Sequence, residues 1–378
     1  MFGVYTLVKN PKKTSVAENR NLTQFSHFTI KEFLNGKFQD NFERALADQF
    51  PMSEKIRVGY GDIMVKMSNI IQFDYFCKNR YTSLPNDKDN KYRTFNCEDY
   101  IVRAPSLLGK KQFEILENNI SKFSHVNSLL KSNYYIINTS STYDFEKNEK
   151  ILDFSDALKE KMSGNFEISS LKYDSFDQYK ELFFKTDHHW NYKGSYRGFL
   201  DIAKMLDIDK PAKPINVINN HEYFFGTLAK AVRRYDFLEE FVMYEFSIPE
   251  HDIYINRNKQ SYYNRLEDFK SHNYEYSEDI LFYQFNGESK GEIIFDYHQP
   301  EKKNLLIVTD SFGHPIKELI AQYFNRTNVV DLRHYQDEMK TPFVLSEYIK
   351  ENEIDEVLFI ASSEFFLLED NTTEGLEL

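Results

Sequence analysis

Thr186-Asp187-His188-His189-Trp190-Asn191 places a carboxylate and two imidazoles directly before the only tryptophan of the chain. An aspartate beside a histidine can take the Nδ1 proton, which fixes the tautomer and leaves Nε2 as a general base. Such a base needs a nucleophile, and the best candidate is Ser311. It follows the apolar run Asn304-Leu305-Leu306-Ile307-Val308 and precedes Ile316, Leu319, Ile320, Tyr323 and Phe324, which mark one helix face after Pro315. This order of strand, turn and helix puts Ser311 beyond the carboxyl end of a strand, where ligands sit in open parallel sheets and backbone amides are at hand for an oxyanion. Asp187, His189 and Ser311 complete the residue types of an acyl-transfer triad, whose members need only be neighbours in space.

Each of these residues also has a plainer role. Ser311 would cap the helix beginning near Pro315. The histidines would be a structural pair packed under Trp190, or Asp187, His188 and His189 would be metal ligands, although adjacent side chains rarely converge on one ion. His314, three residues past the serine, is expected at the rim. Gly226, in Phe224-Phe225-Gly226-Thr227-Leu228, would present its amide to an oxyanion or form a turn. Arg333, after Asp331, would bind an acceptor or a carbonyl oxygen, or make a salt bridge.

The elements that must position these groups read as an α/β layer. Asn191 is placed to cap a helix in which Tyr196, Phe199, Leu200, Ala203 and Leu206 recur at about 3.6-residue spacing, so the His-rich segment is a loop entering a helix. Tyr134 to Ile137 make a short buried strand that ends in the polar loop Asn138 to Thr142, between helical patterns at Phe113 to Phe123 and Ile151 to Met162. The C-terminal third repeats strand, turn and helix. Asn328 to Asp331 and Val357 to Ile360 are strands, and Phe343 to Ile349 is a helix, so the sheet should be largely parallel. Residues 17–60 carry helices, with Phe28 to Leu34 and Phe38 to Phe50 as amphipathic packing faces. Residues 215–300 break the rhythm with strand-like runs in a polar, Tyr-rich stretch and read as an insertion or rim.

With 378 residues and 41% hydrophobic content the chain can bury a substantial core. A formal charge of -12 without clustered Lys and Arg disfavours a nucleic-acid partner. Two cysteines, Cys77 and Cys97, lack the partners of a zinc site, and a disulfide between them is not indicated. No stretch reaches the ~20 apolar residues of a membrane span. The opening Phe-Gly-Val-Tyr-Thr-Leu-Val, followed by Lys9, Lys12 and Lys13, reads as the exit end of a longer apolar segment, so residues 1–16 are the end of a signal or anchor and a linker. Residues 17–378 then form one domain.

These residues resemble the SGNH-hydrolase-like proteins with a DHHW motif, similar to the alginate O-acetylation proteins of the bacterial periplasm. The matching positions are Thr186 to Asn191, the Asp310-Ser311-Phe312 turn, Phe225-Gly226-Thr227-Leu228, and an entry segment of Glu18-Asn19-Arg20, Phe33 to Phe38 and Asp48 to Pro51. The resemblance implies a three-layer α/β/α, flavodoxin-like SGNH fold in permuted order, with an insertion between the Asp-x-His loop and the serine turn. It implies that Asp187 orients, His189 is the base, Ser311 carries the acyl group and His188 lies behind them. The usual oxyanion asparagine has no clear counterpart, and Asn138 is the candidate. The implied activity is O-acetylation of an extracytoplasmic polysaccharide, in the periplasm or at the cell surface, with the acetyl donor supplied through a membrane-bound O-acyltransferase partner. No cofactor or metal is expected. An acetyl esterase and a non-catalytic glycan-binding or scaffold protein of an exopolysaccharide export complex are the alternatives.

Overall fold

The computed structural model describes residues 12–15, 20–50, 56, 59–60, 81–83, 94–103, 110–145, 147, 149–151, 154–224, 226–231, 239–260, 290–368 and 373–376. The opening residues 2–9, Glu18, Asn19, Pro51, Cys77 and Phe225, named above, lie outside the described residues. Cys97 is buried.

In chain order the strands used below are β1 (Tyr81–Ser83), β2 (Thr94–Cys97), β3 (Tyr100–Arg103), β4 (Ser132–Ile137), β5 (Phe166–Leu171), β6 (Asn216–Phe224), β7 (Glu239–Glu245), β8 (Asp252–Ile255), β9 (Asn258–Lys259), β10 (Glu292–Asp296), β11 (Asn304–Thr309), β12 (Arg326–Val330) and β13 (Glu356–Ser362). The helices are α1 (Ile30–Leu34), α2 (Lys37–Gln49), α3 (Lys110–Leu129), α4 (Phe154–Lys161), α5 (Phe176–Leu182), α6 (Tyr192–Met205), α7 (Thr227–Ala231), α8 (Lys317–Ala321), α9 (Leu332–Met339) and α10 (Leu345–Glu351).

Eight strands form the central sheet in the order β9-β8-β10-β12-β11-β13-β4-β5. β12, β11, β13, β4 and β5 run parallel, while β10 and β8 extend the sheet antiparallel. The central strands β11 and β13 are continuous apolar runs because they are covered on both sides. Alternate residues go to opposite cores: Leu305, Ile307, Leu358 and Ile360 join Phe176, Phe199 and Ile320. Leu306, Val308, Val357 and Phe359 join Phe123, Leu158 and Tyr348. Period-two strands between two helical layers make the expected three-layer α/β/α architecture.

Within the stretch read as an insertion or rim, β8 and β10 belong to the central sheet, whereas β6 and β7 form a separate antiparallel hairpin. No helix among the described residues is long and apolar enough to cross a membrane. The N-terminal helices form where expected, but their apolar side chains do not enter either core. Ile30 is 71% and Leu34 79% exposed, and of α2 only Ala45 is buried. Their phenylalanines pack on one another instead, as Phe28 does on Phe38 at 5.2 Å.

α6 begins where the sequence places it: Asn191 caps it, its side chain accepting from the amides of Lys193 and Gly194. The same side chain donates to the carbonyls of Glu181 and Phe183, which ties the start of α6 to the end of α5. Trp190 is fully buried against α6, and a Cβ added at Gly198 would lie 2.5 Å from its ring. Gly198→Val is expected to destabilise the fold by about 1–3 kcal/mol through this overlap, measured by urea unfolding; an unchanged midpoint would contradict the packing.

Candidate active site

Residues 184–189 form a tight loop between α5 and α6, closed by a bridge between Phe183 and Trp190 and by the Phe184 amide donating to the His189 carbonyl at 3.2 Å. The loop points Asp187 into the protein, where the carboxylate is fully buried. A buried charge must be satisfied. Asp187 Oδ1 accepts from the His189 amide at 2.9 Å and from His189 Nδ1 at 2.6 Å, and Oδ2 accepts from the Thr227 amide at 2.6 Å. Burial alone would raise this carboxyl, but the two imidazoles and the donors from His189 and Thr227 hold it well below the usual carboxylate range. With Asp187 ionised, Nδ1 keeps its proton and Nε2 faces outward as an acceptor.

Ser311 meets that acceptor. Its Oγ lies 2.7 Å from His189 Nε2, across 122 residues of sequence. The serine follows β11 in a short 3₁₀ turn, Ser311–Gly313. Ser311 does not cap the helix that follows, since α8 starts after Ile316 without a side-chain cap; Asp310 caps the 3₁₀ turn, accepting from the Phe312 amide at 2.9 Å. The other Asp310 oxygen accepts from the amide and hydroxyl of Ser362 at 3.0 and 2.8 Å, fastening the turn to the end of β13. Burial pushes the Asp310 carboxyl up, against the Arg333 charge and these donors.

The remaining sequence candidates take up distinct places. His188 stacks on His189, ring centroids 4.1 Å apart, with Nδ1 3.5 Å from Asp187 Oδ1. Burial, together with the charges of His189, Arg103 and Arg333, depresses it well below its ordinary value, so it is neutral. The ring that covers His189 is Phe312 at 4.7 Å, and Phe312 in turn packs edge-on to Trp190 at 6.0 Å. His314 is buried, contrary to its expected place at the rim, because the 3₁₀ turn carries the chain inward before α8. Arg333 makes the salt bridge, with Nε and Nη2 donating to Asp331 at 2.9 and 2.6 Å. Asn138 follows β4 at the same carboxyl edge of the sheet, two strands from β11, and its Oδ1 has no hydrogen-bond partner among the described residues.

Gly226 does not aim its amide at the serine: it donates to Thr186 Oγ1 at 3.1 Å. Its role is close approach, since an added Cβ would lie 2.2 Å from the Thr186 carbonyl oxygen. The metal alternative is disfavoured by geometry. Ligand atoms of Asp187, His188 and His189 lie within 4.8 Å of one another, but both ring nitrogens of His189 are already engaged.

Two contributors were missed from sequence. Thr227 acts through its amide, which no residue type reveals. Glu239 lies on β7 and accepts from the backbone and hydroxyl of residues just before Asp187. Nothing in its sequence surroundings marks it.

Gly226→Ala is expected to push Thr186 away and loosen the Asp187 seat. Stability should fall by about 1–3 kcal/mol, and labelling of Ser311 by phenylmethanesulfonyl fluoride should slow relative to wild type. Labelling at the wild-type rate would contradict the close approach.

No protein-family model matches the sequence, and no curated protein matches it. Solved structures do. Bacillus cereus PatB1 aligns with a TM-score of 0.56 at 16% identity, covering 75% of this chain and 99% of that chain, and its sulfonyl adduct gives 0.55 at 17% identity, covering 75% and 98%. A DHHW family protein from Eubacterium siraeum aligns with a TM-score of 0.55 at 16% identity, covering 78% of this chain and 98% of that chain. The chain thus shares the fold of a DHHW family protein, in keeping with the resemblance drawn from Asp187-His188-His189-Trp190.

Proposed function

We propose that this chain is an O-acetyltransferase acting on an extracytoplasmic polysaccharide through an acetyl-serine intermediate at Ser311. The observation that carries the reading is the continuous hydrogen-bonded line from Asp187 through His189 to Ser311, at 2.6 and 2.7 Å. A non-catalytic scaffold has no need of a buried carboxylate, an oriented imidazole and a serine held in that order.

In the proposed reaction Ser311 Oγ attacks the carbonyl carbon of an acetyl ester while His189 Nε2 takes its proton. The imidazolium so formed is stabilised by Asp187, which remains ionised. Collapse of the tetrahedral intermediate breaks the bond to the donor oxygen, which receives the proton from His189. A sugar hydroxyl then gives its proton to His189 and attacks the acetyl-serine, forming the new ester and restoring Ser311. The Phe312 and Gly313 amides already donate to Asp310, so of the turn's amides the one on Ser311 is the candidate donor to the oxyanion. Asn138 and the Arg333 guanidinium are further candidates. The donor would come through a membrane-bound O-acyltransferase, and the setting would be the periplasm or cell surface. Hydrolysis to acetate follows from the same intermediate whenever water replaces the sugar hydroxyl.

The test is release of p-nitrophenol from p-nitrophenyl acetate, with an oligosaccharide acceptor present or absent. Ser311→Ala should lose activity, and Asp187→Asn should lower kcat by about 10³-fold or more through the wrong His189 tautomer. An acetylated acceptor seen by mass spectrometry supports transfer, and acetate alone supports an esterase. Retention of the wild-type rate by Ser311→Ala would overturn both.

A further inference from the structure

Glu239 stands at the start of β7, paired with Phe224 across the β6–β7 hairpin, outside the central sheet. Its carboxylate is turned to the loop that carries Asp187. Oε2 accepts from the Lys185 amide at 3.1 Å, the Thr186 amide at 3.1 Å and the Thr186 hydroxyl at 2.9 Å, while Oε1 accepts from the Lys185 amide at 2.8 Å.

The Thr186 hydroxyl passes this constraint on. Having donated to Glu239, its oxygen accepts from the Gly226 amide at 3.1 Å, and the Thr186 carbonyl accepts from the Ala229 amide at 3.0 Å. The next amide after Gly226 is Thr227, the donor to Asp187 Oδ2. One carboxylate therefore holds both segments that define the position of Asp187: residues 185 and 186, from which it projects, and residues 226 and 227, which grip its far oxygen.

We propose that Glu239 is a positioning residue for Asp187, locking the loop so that Oδ1 stays in line with His189 Nδ1 and Nε2 with Ser311. Its consequence for the rate rests on the proposed serine mechanism; its consequence for the Asp187–His189 hydrogen bond does not. Displacing a catalytic group by a fraction of an ångström to an ångström costs up to about 100-fold in rate, and groups that orient such residues are worth a comparable factor.

Desolvation raises the Glu239 carboxyl to about 7, with Asp187 adding to the rise and the Lys185 and Thr186 donors opposing it. Below that value a proton occupies one of the oxygens that must accept. Measurements therefore belong at pH 8, where the carboxylate form prevails. Among the described residues, the charged and titratable groups acting on it include Asp187 and the Tyr100 hydroxyl, while Lys185 meets it through the backbone amide, its ammonium being paired with Asp99 at 2.5 Å.

The experiment combines Glu239→Ala, Glu239→Gln and Thr186→Val with three readouts: kcat and KM for p-nitrophenyl acetate, the rate of Ser311 labelling by phenylmethanesulfonyl fluoride, and the downfield proton resonance of His189 Nδ1. Glu239→Ala is expected to lower kcat about tenfold to hundredfold with KM within about twofold, and to shift or broaden the resonance. Glu239→Gln should recover part of the loss, since its amide oxygen can take the place of Oε2. The Glu239→Gln and Thr186→Val losses should combine to less than their product, because both act through one network. If Glu239→Ala does not fold, that pair of variants decides, and losses that multiply independently would overturn the proposal. A folded Glu239→Ala with the wild-type resonance and labelling rate would also overturn it. If the wild type cleaves no ester, the acetyltransferase reading fails, while the resonance still reports on Glu239.

Discussion

The buried Asp187 carboxylate is the constraint on which the site depends. A charge removed from water is tolerated only where donors replace its hydration, and among the described residues the hydrogen-bond donors come from two places: His189, two residues on, and Thr227, at the start of α7. The tight loop between α5 and α6, the close approach of Gly226 to Thr186 and the docking of the hairpin all follow from bringing those donors in. Once Asp187 is satisfied, the tautomer of His189 is fixed and its Nε2 is free to face the serine.

The serine arrives by an independent route. β11 and β13 run side by side through the centre of the sheet, and Asp310 binds the end of one to Ser362 at the end of the other. Phe312 then joins the halves: it lies against His189 and Trp190 at once, so the turn that carries Ser311 also packs His189. Trp190 sits on Gly198 of α6 and near Tyr135 of β4, which connects the loop to the core. The rigid sheet thus sets one half of the geometry and the hairpin the other, and the 2.7 Å contact between Ser311 and His189 is where they meet.

What could be read from sequence was local or periodic. Leu305 to Val308 and Val357 to Ile360 are apolar runs because both faces of the sheet are covered, and Asn191 declares its cap by residue type and position. The Asp-x-His spacing was legible because two residues suffice to close an Asp187–His189 hydrogen bond within one loop. Contacts between distant backbones left no such trace. Thr227 contributes an amide, and Glu239 reaches Thr186 across 53 residues with no local pattern to mark it. α9 was not expected, since its polar sequence buries only Leu332 and Tyr335. The apolar stripes of α1 and α2 suggested burial, yet hydrophobicity says that a face is apolar and not what covers it. His314 was misplaced because the turn after Ser311 winds inward, a matter of backbone path that residue type does not encode.

The most direct test of the account is to stop the reaction of the protein with p-nitrophenyl acetate by rapid acidification and to map the acetyl group by peptide mass spectrometry. The account predicts acetyl on the peptide bearing Ser311, at a single site, and its absence when His189→Ala is treated in the same way. Acetyl found only on lysine side chains, or equal labelling of Ser311 in His189→Ala, would contradict it.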